Sequence, residues 1–201
     1  MVSPIRVGLI GLSASPTGTG WATSAHLPYL RKSPYYKITA LLNSSVDNAR
    51  KAVKAHSLGD DTKTYGSPED LANDPNVDLV VVNTRVDRHA QVLLPSLLAG
   101  KDAFCEWPLD RNAEVARSMV DVAQSGGGKT ITGLQGRFNP VVQTLRKLIS
   151  DGRIGRPLSC TFIGSAGNGG ATESYAIEYF VDRKVGGNIL TIASGHSKKS
   201  D

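Results

Sequence analysis

Ile5-Arg6-Val7-Gly8-Leu9-Ile10, followed at once by Gly11-Leu12-Ser13, is the stretch on which the fold turns. A short apolar run ended by glycine reads as a parallel strand buried on both faces. The chain beyond it keeps alternating. His26-Leu27-Pro28-Tyr29-Leu30 belongs to a first helix, and residues 37–42 form a second strand. Residues 46–56 are helical, with Ala49, Ala52, Val53 and His56 on one face. Ser67-Pro68-Glu69-Asp70 has the chemistry of a helix start: a serine cap, proline in the first helical position and acids in the first turn.

Residues 77–82, nearly continuous Val and Leu, form the clearest strand. A helix over 87–99 stops at Gly100, and a strand follows over 102–106. A long helix over 111–125 ends in Gly126-Gly127-Gly128, and 130–135 is a last strand. Such alternation predicts an α/β fold, a Rossmann doubly wound parallel sheet, over residues 1–135. After Gly136 the texture changes. A helix over 139–150 is closed by Asp151-Gly152, a strand is predicted over 157–164, and a final helix runs from 188 to about 194. Residues 136–201 therefore read as the opening of an α+β domain.

The bulk numbers exclude several classes. The chain has 201 residues, 40% hydrophobic and 20% charged, which suits a globule. Its net charge of +5 is spread out rather than gathered in a stripe, which argues against direct nucleic-acid binding. The two cysteines, Cys105 and Cys160, make neither a disulfide framework nor a zinc spacing. No apolar run nears the length of about 18 residues that a membrane span needs, and the N-terminus has no secretory pattern. The expected compartment is the cytoplasm, or the nucleus for a regulator.

In a doubly wound sheet, ligands bind beyond the carboxyl ends of the strands. Here those ends are Gly11-Leu12-Ser13, Asn43-Ser44, Asn83-Thr84-Arg85 and Glu106-Trp107-Pro108. The dinucleotide fingerprint G-x-G-x-x-G lets a backbone approach a pyrophosphate at a helix N-terminus. Gly11 takes its first position and Ser13 its second. The loop then lengthens to Gly20-Trp21. An NAD site usually carries an acid on the ribose hydroxyl at the end of the second strand. Asn43 and Ser44 stand there instead, with Ser45 and Arg50 as further donors, so NADP is expected over the alternative, NAD. Thr84, Arg85, His89, Glu106 and Trp107 are the expected cofactor-lining residues on the later loops, with packing an equal alternative for His89. His26 and His56 read as helix packing residues. The four histidines have no metal-ligand spacing, and no metal is expected. Residues 123–130 fit a relaxed P-loop pattern, but they follow a helix and open a strand, the reverse of what a P-loop requires.

Val81-Val82-Asn83-Thr84 with His89, Leu98-Ala99-Gly100-Lys101-Asp102, Glu106-Trp107-Pro108-Leu109 and Asp151-Gly152-Arg153-Ile154-Gly155 form an ordered set. The set resembles the glucose–fructose oxidoreductase / inositol dehydrogenase / MocA family, Gfo/Idh/MocA. Glu106-Trp107-Pro108, Leu134-Gln135-Gly136-Arg137 and Gly167-Asn168-Gly169-Gly170 look like its fungal branch, which includes a repressor of the galactose regulon. The resemblance implies NADP-linked hydride transfer on a small hydroxyl- or carbonyl-bearing substrate, a sugar or secondary metabolite. The regulatory branch implies a non-enzymatic cofactor sensor instead, and an inactive remnant is the third reading. The implied partners are a small-molecule substrate or metabolite, and either a second copy or a regulatory protein.

The resemblance also marks departures. The family's E-K-P lysine, which handles the proton, is replaced by Trp107, whose indole only donates. Its Asp-x-x-x-His pair falls on Ile192 and His196, leaving His196 as the one catalytic group carried over. The family continues well past residue 201, so the α+β part is expected to be truncated.

Overall fold

The computed structural model describes residues 3–15, 20–161, 163 and 179–197. β1 (Ile5–Ile10), β2 (Tyr36–Leu42), β3 (Lys63–Tyr65), β4 (Leu79–Val82), β5 (Asp102–Glu106) and β6 (Thr130–Gly133) form one sheet in the order β3-β2-β1-β4-β5-β6. Every pairing is parallel. The order reverses between β1 and β4, so a crevice opens at their carboxyl ends. This is the predicted Rossmann topology.

The sheet is buried on both faces. One core gathers Val7, Leu9, Leu12, Leu41 and Val81 with Leu27 and Leu30 of α1 (Leu27–Lys32) and Ala49 and Ala52 of α2 (Val46–Ala55). The other joins Ile10, Leu42, Val80 and Val82 to Leu71 of α3 (Pro68–Ala72), Leu93 and Leu97 of α4 (His89–Leu98) and Met119 of α5 (Ala113–Gly126). Alternate residues of β1 thus serve opposite cores, as the pleat requires.

Ser67 caps its helix as predicted, and Ser45 and Asn112 cap two more. Ser67 Oγ accepts from the Asp70 N–H, Ser45 Oγ from Asn48 and Asn112 Oδ1 from Val115. The first helix begins irregularly: a π-helical turn, Ala22–His26, leads into α1. The triple glycine that closes α5 has a packing reason. A Cβ on Gly126 would strike the Leu97 carbonyl, and one on Gly128 the Lys101 carbonyl, so the ends of α4 and α5 meet backbone to backbone.

β3 has no counterpart in the sequence reading. It is held from below by Asp74, whose carboxylate accepts from Tyr65 Oη at 2.8 Å, Lys63 Nζ at 3.0 Å and the Asn76 N–H at 2.9 Å. Past β6, a 3₁₀ turn (Gln135–Phe138) enters α6 (Pro140–Ser150), capped by Asn139. The strand predicted over 157–164 is a correction. Its described part, 157–161 and 163, is not in a strand and pairs with nothing. Pro157 offers no N–H, and a strand without a partner cannot satisfy its ladder. The glycine loop 167–170 lies outside the described residues. A 3₁₀ turn (Arg183–Val185) and α7 (Ile189–Ser197) then return to the carboxyl edge of the sheet. Among the described residues no helix is long and apolar enough to cross a membrane.

Candidate dinucleotide site

A cleft of about 900 Å³ opens at the carboxyl ends of β1, β2 and β4. Gly11, Leu12, Ser13, Asn43, Ser44, Thr84 and Arg85 all line it, so seven residues singled out in the sequence come together here. Gly11 has φ +90°, and a Cβ on it would lie 3.0 Å from the Asn83 carbonyl oxygen. Only glycine lets β1 turn this tightly against the end of β4. Across the cleft, Asn43 Nδ2 donates to the carbonyls of Leu12 (2.9 Å) and Asn48 (3.3 Å), tying β2 to the β1 loop. Ser44 Oγ accepts from Asn48 Nδ2 at 2.9 Å.

Two features fit a polar ligand. Both side-chain polar atoms of Asn83, and Thr84 Oγ1, are buried without a hydrogen-bond partner. Such orphans are costly unless something supplies the missing partner. The charged residues lining the cleft among those described are Arg85 and Arg88, and no carboxylate lines it. Arg85 forks onto Asp87, with Nε–Oδ1 2.6 Å and Nη2–Oδ2 2.7 Å, and its guanidinium stands 6.0 Å over the Tyr179 ring. Hydrogen bonds from Arg85 hold the Asp87 carboxyl below the usual range despite its partial burial. Orphaned donors and acceptors, a glycine turn and a cationic rim suit a dinucleotide. Part of the loop between β1 and α1, residues 16–19, lies outside the described residues.

The remaining expected residues fall elsewhere. Trp21 and Glu106 meet each other: Trp21 Nε1 donates to Glu106 Oε1 at 3.0 Å. The same oxygen receives His26 Nε2 at 2.5 Å, and the His26 ring stands edge-on to Phe104. Helical periodicity could suggest only packing for His26, because its partner is 80 residues away in sequence. Gly20 stands just before the π-helical turn, its carbonyl accepting from the Thr23 N–H. His89 is buried. Its Nδ1 faces the Pro108 and Leu109 carbonyls at 3.0 and 3.1 Å and its Nε2 the Thr84 carbonyl at 3.0 Å, bracing the β4 and β5 loops together. His56 Nε2 reaches the Ser13 carbonyl at 2.7 Å. Cys105 is buried, and that burial, with Glu106 and Asp110 nearby, pushes its thiol far up, away from nucleophilic use.

Trp107 is engaged by α7. Its indole N–H donates to the Thr191 carbonyl at 2.9 Å, and Gly195 lies flush against the ring. His196, one residue on, backs onto Gly136 and keeps a buried Nδ1 without a partner. Gly195→Ala would drive a methyl into the indole. We expect it to undock α7 at a cost of about 1–3 kcal/mol. With Trp21→Phe as background, the Trp107 emission should then shift to the red. An unchanged spectrum would show that the contact tolerates the methyl.

A glycine-turned cleft at the switch point of a 3-2-1-4-5-6 parallel sheet defines a dinucleotide-binding Rossmann protein. The oxidoreductase family with an NAD-binding Rossmann fold, Gfo/Idh/MocA, matches residues 5–134, and the chain belongs to it. Dehydrogenase aclE of Aspergillus oryzae is 34% identical over 203 residues, covering 98% of this chain and 53% of aclE. The galactose/lactose metabolism regulatory protein GAL80 of Saccharomyces cerevisiae is 31% identical over 97% of this chain and 46% of its own length. A super-repressor mutant structure of that protein superposes with a TM-score of 0.68 at 32% identity, over 76% of this chain and 40% of the other. KijD10, a 3-ketoreductase from Actinomadura kijaniata solved with NADP, gives 0.61 at 26%, over 74% and 43%. The chain spans about half the length of the curated relatives it matches.

Proposed function

We propose that this chain binds NADP in preference to NAD and moves a hydride between it and a small hydroxyl- or carbonyl-bearing compound. The observation that carries the reading is the acid-free end of the cleft beyond β2. Ser44 and Asn48 already hydrogen-bond each other there, at the start of α2, and no described carboxylate lines the cleft to repel a 2′-phosphate. The N-terminus of α2 adds its own positive end. The Gly11–Ser13 turn lines the cleft where a pyrophosphate is expected, and Asn83 and Thr84 offer unpaired groups beyond it. Gly11, Ser13, Asn43 and Ser44 would hold NADP there, and the cofactor would supply the hydride chemistry. The chain's own residues orient it and shield it from water.

Titration of the purified chain, followed by tryptophan emission, should give tighter binding for NADP than for NAD. Ser44→Asp places a negative charge against the 2′-phosphate. It should weaken NADP by about tenfold, the effect of one close like-charge contact, and leave NAD little changed. Equal affinities in the native chain would sink the preference.

A second reading, a cofactor-sensing regulator without turnover, is favoured by Trp107. Its single polar hydrogen is committed to Thr191. An indole in the position of the family's lysine cannot accept a proton. A panel of sugars, polyols, hydroxy acids and ketones, followed at 340 nm, separates the readings: turnover supports hydride transfer, and NADP binding without it supports sensing.

A further inference from the structure

The pair formed by His26 and Glu106 lies at the carboxyl edge of β5, outside the residues that line the cleft. A dinucleotide in a doubly wound sheet places one mononucleotide on each side of the switch point. The adenosine half belongs with β2 and the start of α2, at Asn43, Ser44 and Asn48. The nicotinamide half therefore belongs on the β4–β5 side. In the β4–β5 register Val82 pairs with Cys105, so Asn83 and Glu106 stand side by side at that edge. Glu106 holds His26 there.

We propose that His26 is the proton acceptor for the hydride transfer and that Glu106 orients it. The inference rests on the NADP-linked reading above. Glu106 Oε1 takes the Nε2–H of His26 at 2.5 Å and is itself fixed by the Trp21 indole at 3.0 Å. A carboxylate on one ring nitrogen selects the tautomer and leaves the lone pair on the other. His26 Nδ1 has no hydrogen-bond partner among the described residues. Both side chains are mostly screened from water, with relative exposures of 18% and 13%.

The backbone gives independent support. His26 closes the π-helical turn Ala22–His26, a rare geometry that occurs preferentially at functional sites. In the same turn Thr23 Oγ1 is buried without a partner. The pair thus supplies a proton-accepting group on the side of the cleft where the family lysine has given way to Trp107.

The step balances. As the substrate carbon loses hydrogen with its bonding pair to the oxidised dinucleotide, the hydroxyl proton passes to Nδ1 of His26 and the C–O bond becomes a carbonyl. His26 then releases the proton to solvent. Reduction of a carbonyl runs the same path backwards.

The test uses the full 201-residue chain, ¹⁵N-labelled at histidine, with the native protein, His26→Ala, His26→Gln and Glu106→Gln. Imidazole shifts should place the neutral His26 proton on Nε2, and Glu106→Gln should remove that preference. In the turnover panel, His26→Ala should lose about 10²–10⁴-fold, the usual contribution of a positioned base. Free imidazole should restore part of it, His26→Gln none, and NADP affinity should change less than about threefold. An Nδ1–H tautomer, or turnover surviving in His26→Ala, overturns the role of His26 alone. NADP affinity falling in step with turnover makes His26 merely structural. Silence of the native chain across the panel overturns hydride transfer itself, and the role with it.

Discussion

Gly11→Val should reduce NADP affinity by about 10²–10³-fold while the sheet stays folded. The wild-type residue sits at φ +90°, where a β-branched side chain is strained by about 1–3 kcal/mol. Its Cβ would also stand 3.0 Å from the Asn83 carbonyl oxygen and 3.1 Å from Thr84 Cγ2. Relief of either contact moves the β1 turn away from the ends of β4, and the added bulk fills the approach to the pyrophosphate. Roughly 3–4 kcal/mol of lost binding corresponds to the stated factor. Gly11→Ala should fall between valine and wild type. Far-ultraviolet circular dichroism checks the fold and emission titration checks the affinity. Native affinity in Gly11→Val would mean that the dinucleotide does not use this turn.

The second large effect concerns stability and lies at the far edge of the sheet. Asp74→Ala should cost about 2–4 kcal/mol, because it strands the Tyr65 hydroxyl, the Asn76 N–H and Lys63 together. For a chain of this length that lowers Tm by roughly 5–10 °C. Burial alone would raise the Asp74 carboxyl, but hydrogen bonds from Asn76, Lys63 and Tyr65 outweigh it and hold it below the usual value. A depressed carboxylate adds stability that is fully present above its unfolded value, near 4, and is lost as pH falls through its folded one. Tyr65 sets the alkaline side. Burial, with Asp74 adjacent, pushes its phenol up to about 12, so its share is lost as pH rises from about 10 toward that value. Asp74→Ala should therefore flatten the acid limb of a Tm-against-pH curve. A mutant curve parallel to wild type below pH 4 would remove Asp74 as the cause.

The dinucleotide end of the molecule was legible because its signals are local. A buried strand needs an apolar run, a tight turn needs Gly11, and a capped helix needs Ser45 or Ser67. Each of these is written in neighbouring residues, so the alternation of strands and helices and seven residues of the cleft follow from the sequence. The edge strand β3 was hidden for the opposite reason. Three residues carry no period, and what makes them a strand is Asp74 beneath Tyr65 and pairing with β2.

By itself, then, the sequence determined the doubly wound sheet, the loops that bear the site and the absence of an acid at Asn43 and Ser44. These depend on spacing along the chain. Only the tertiary structure decided which histidine meets a carboxylate, since His26 and Glu106 are 80 residues apart. It likewise decided that the Trp107 indole answers to Thr191, 84 residues on, and that His89 braces two loops from inside. A hydrogen bond is directional and short-ranged, so its partners exist only once the sheet has brought the strand ends side by side.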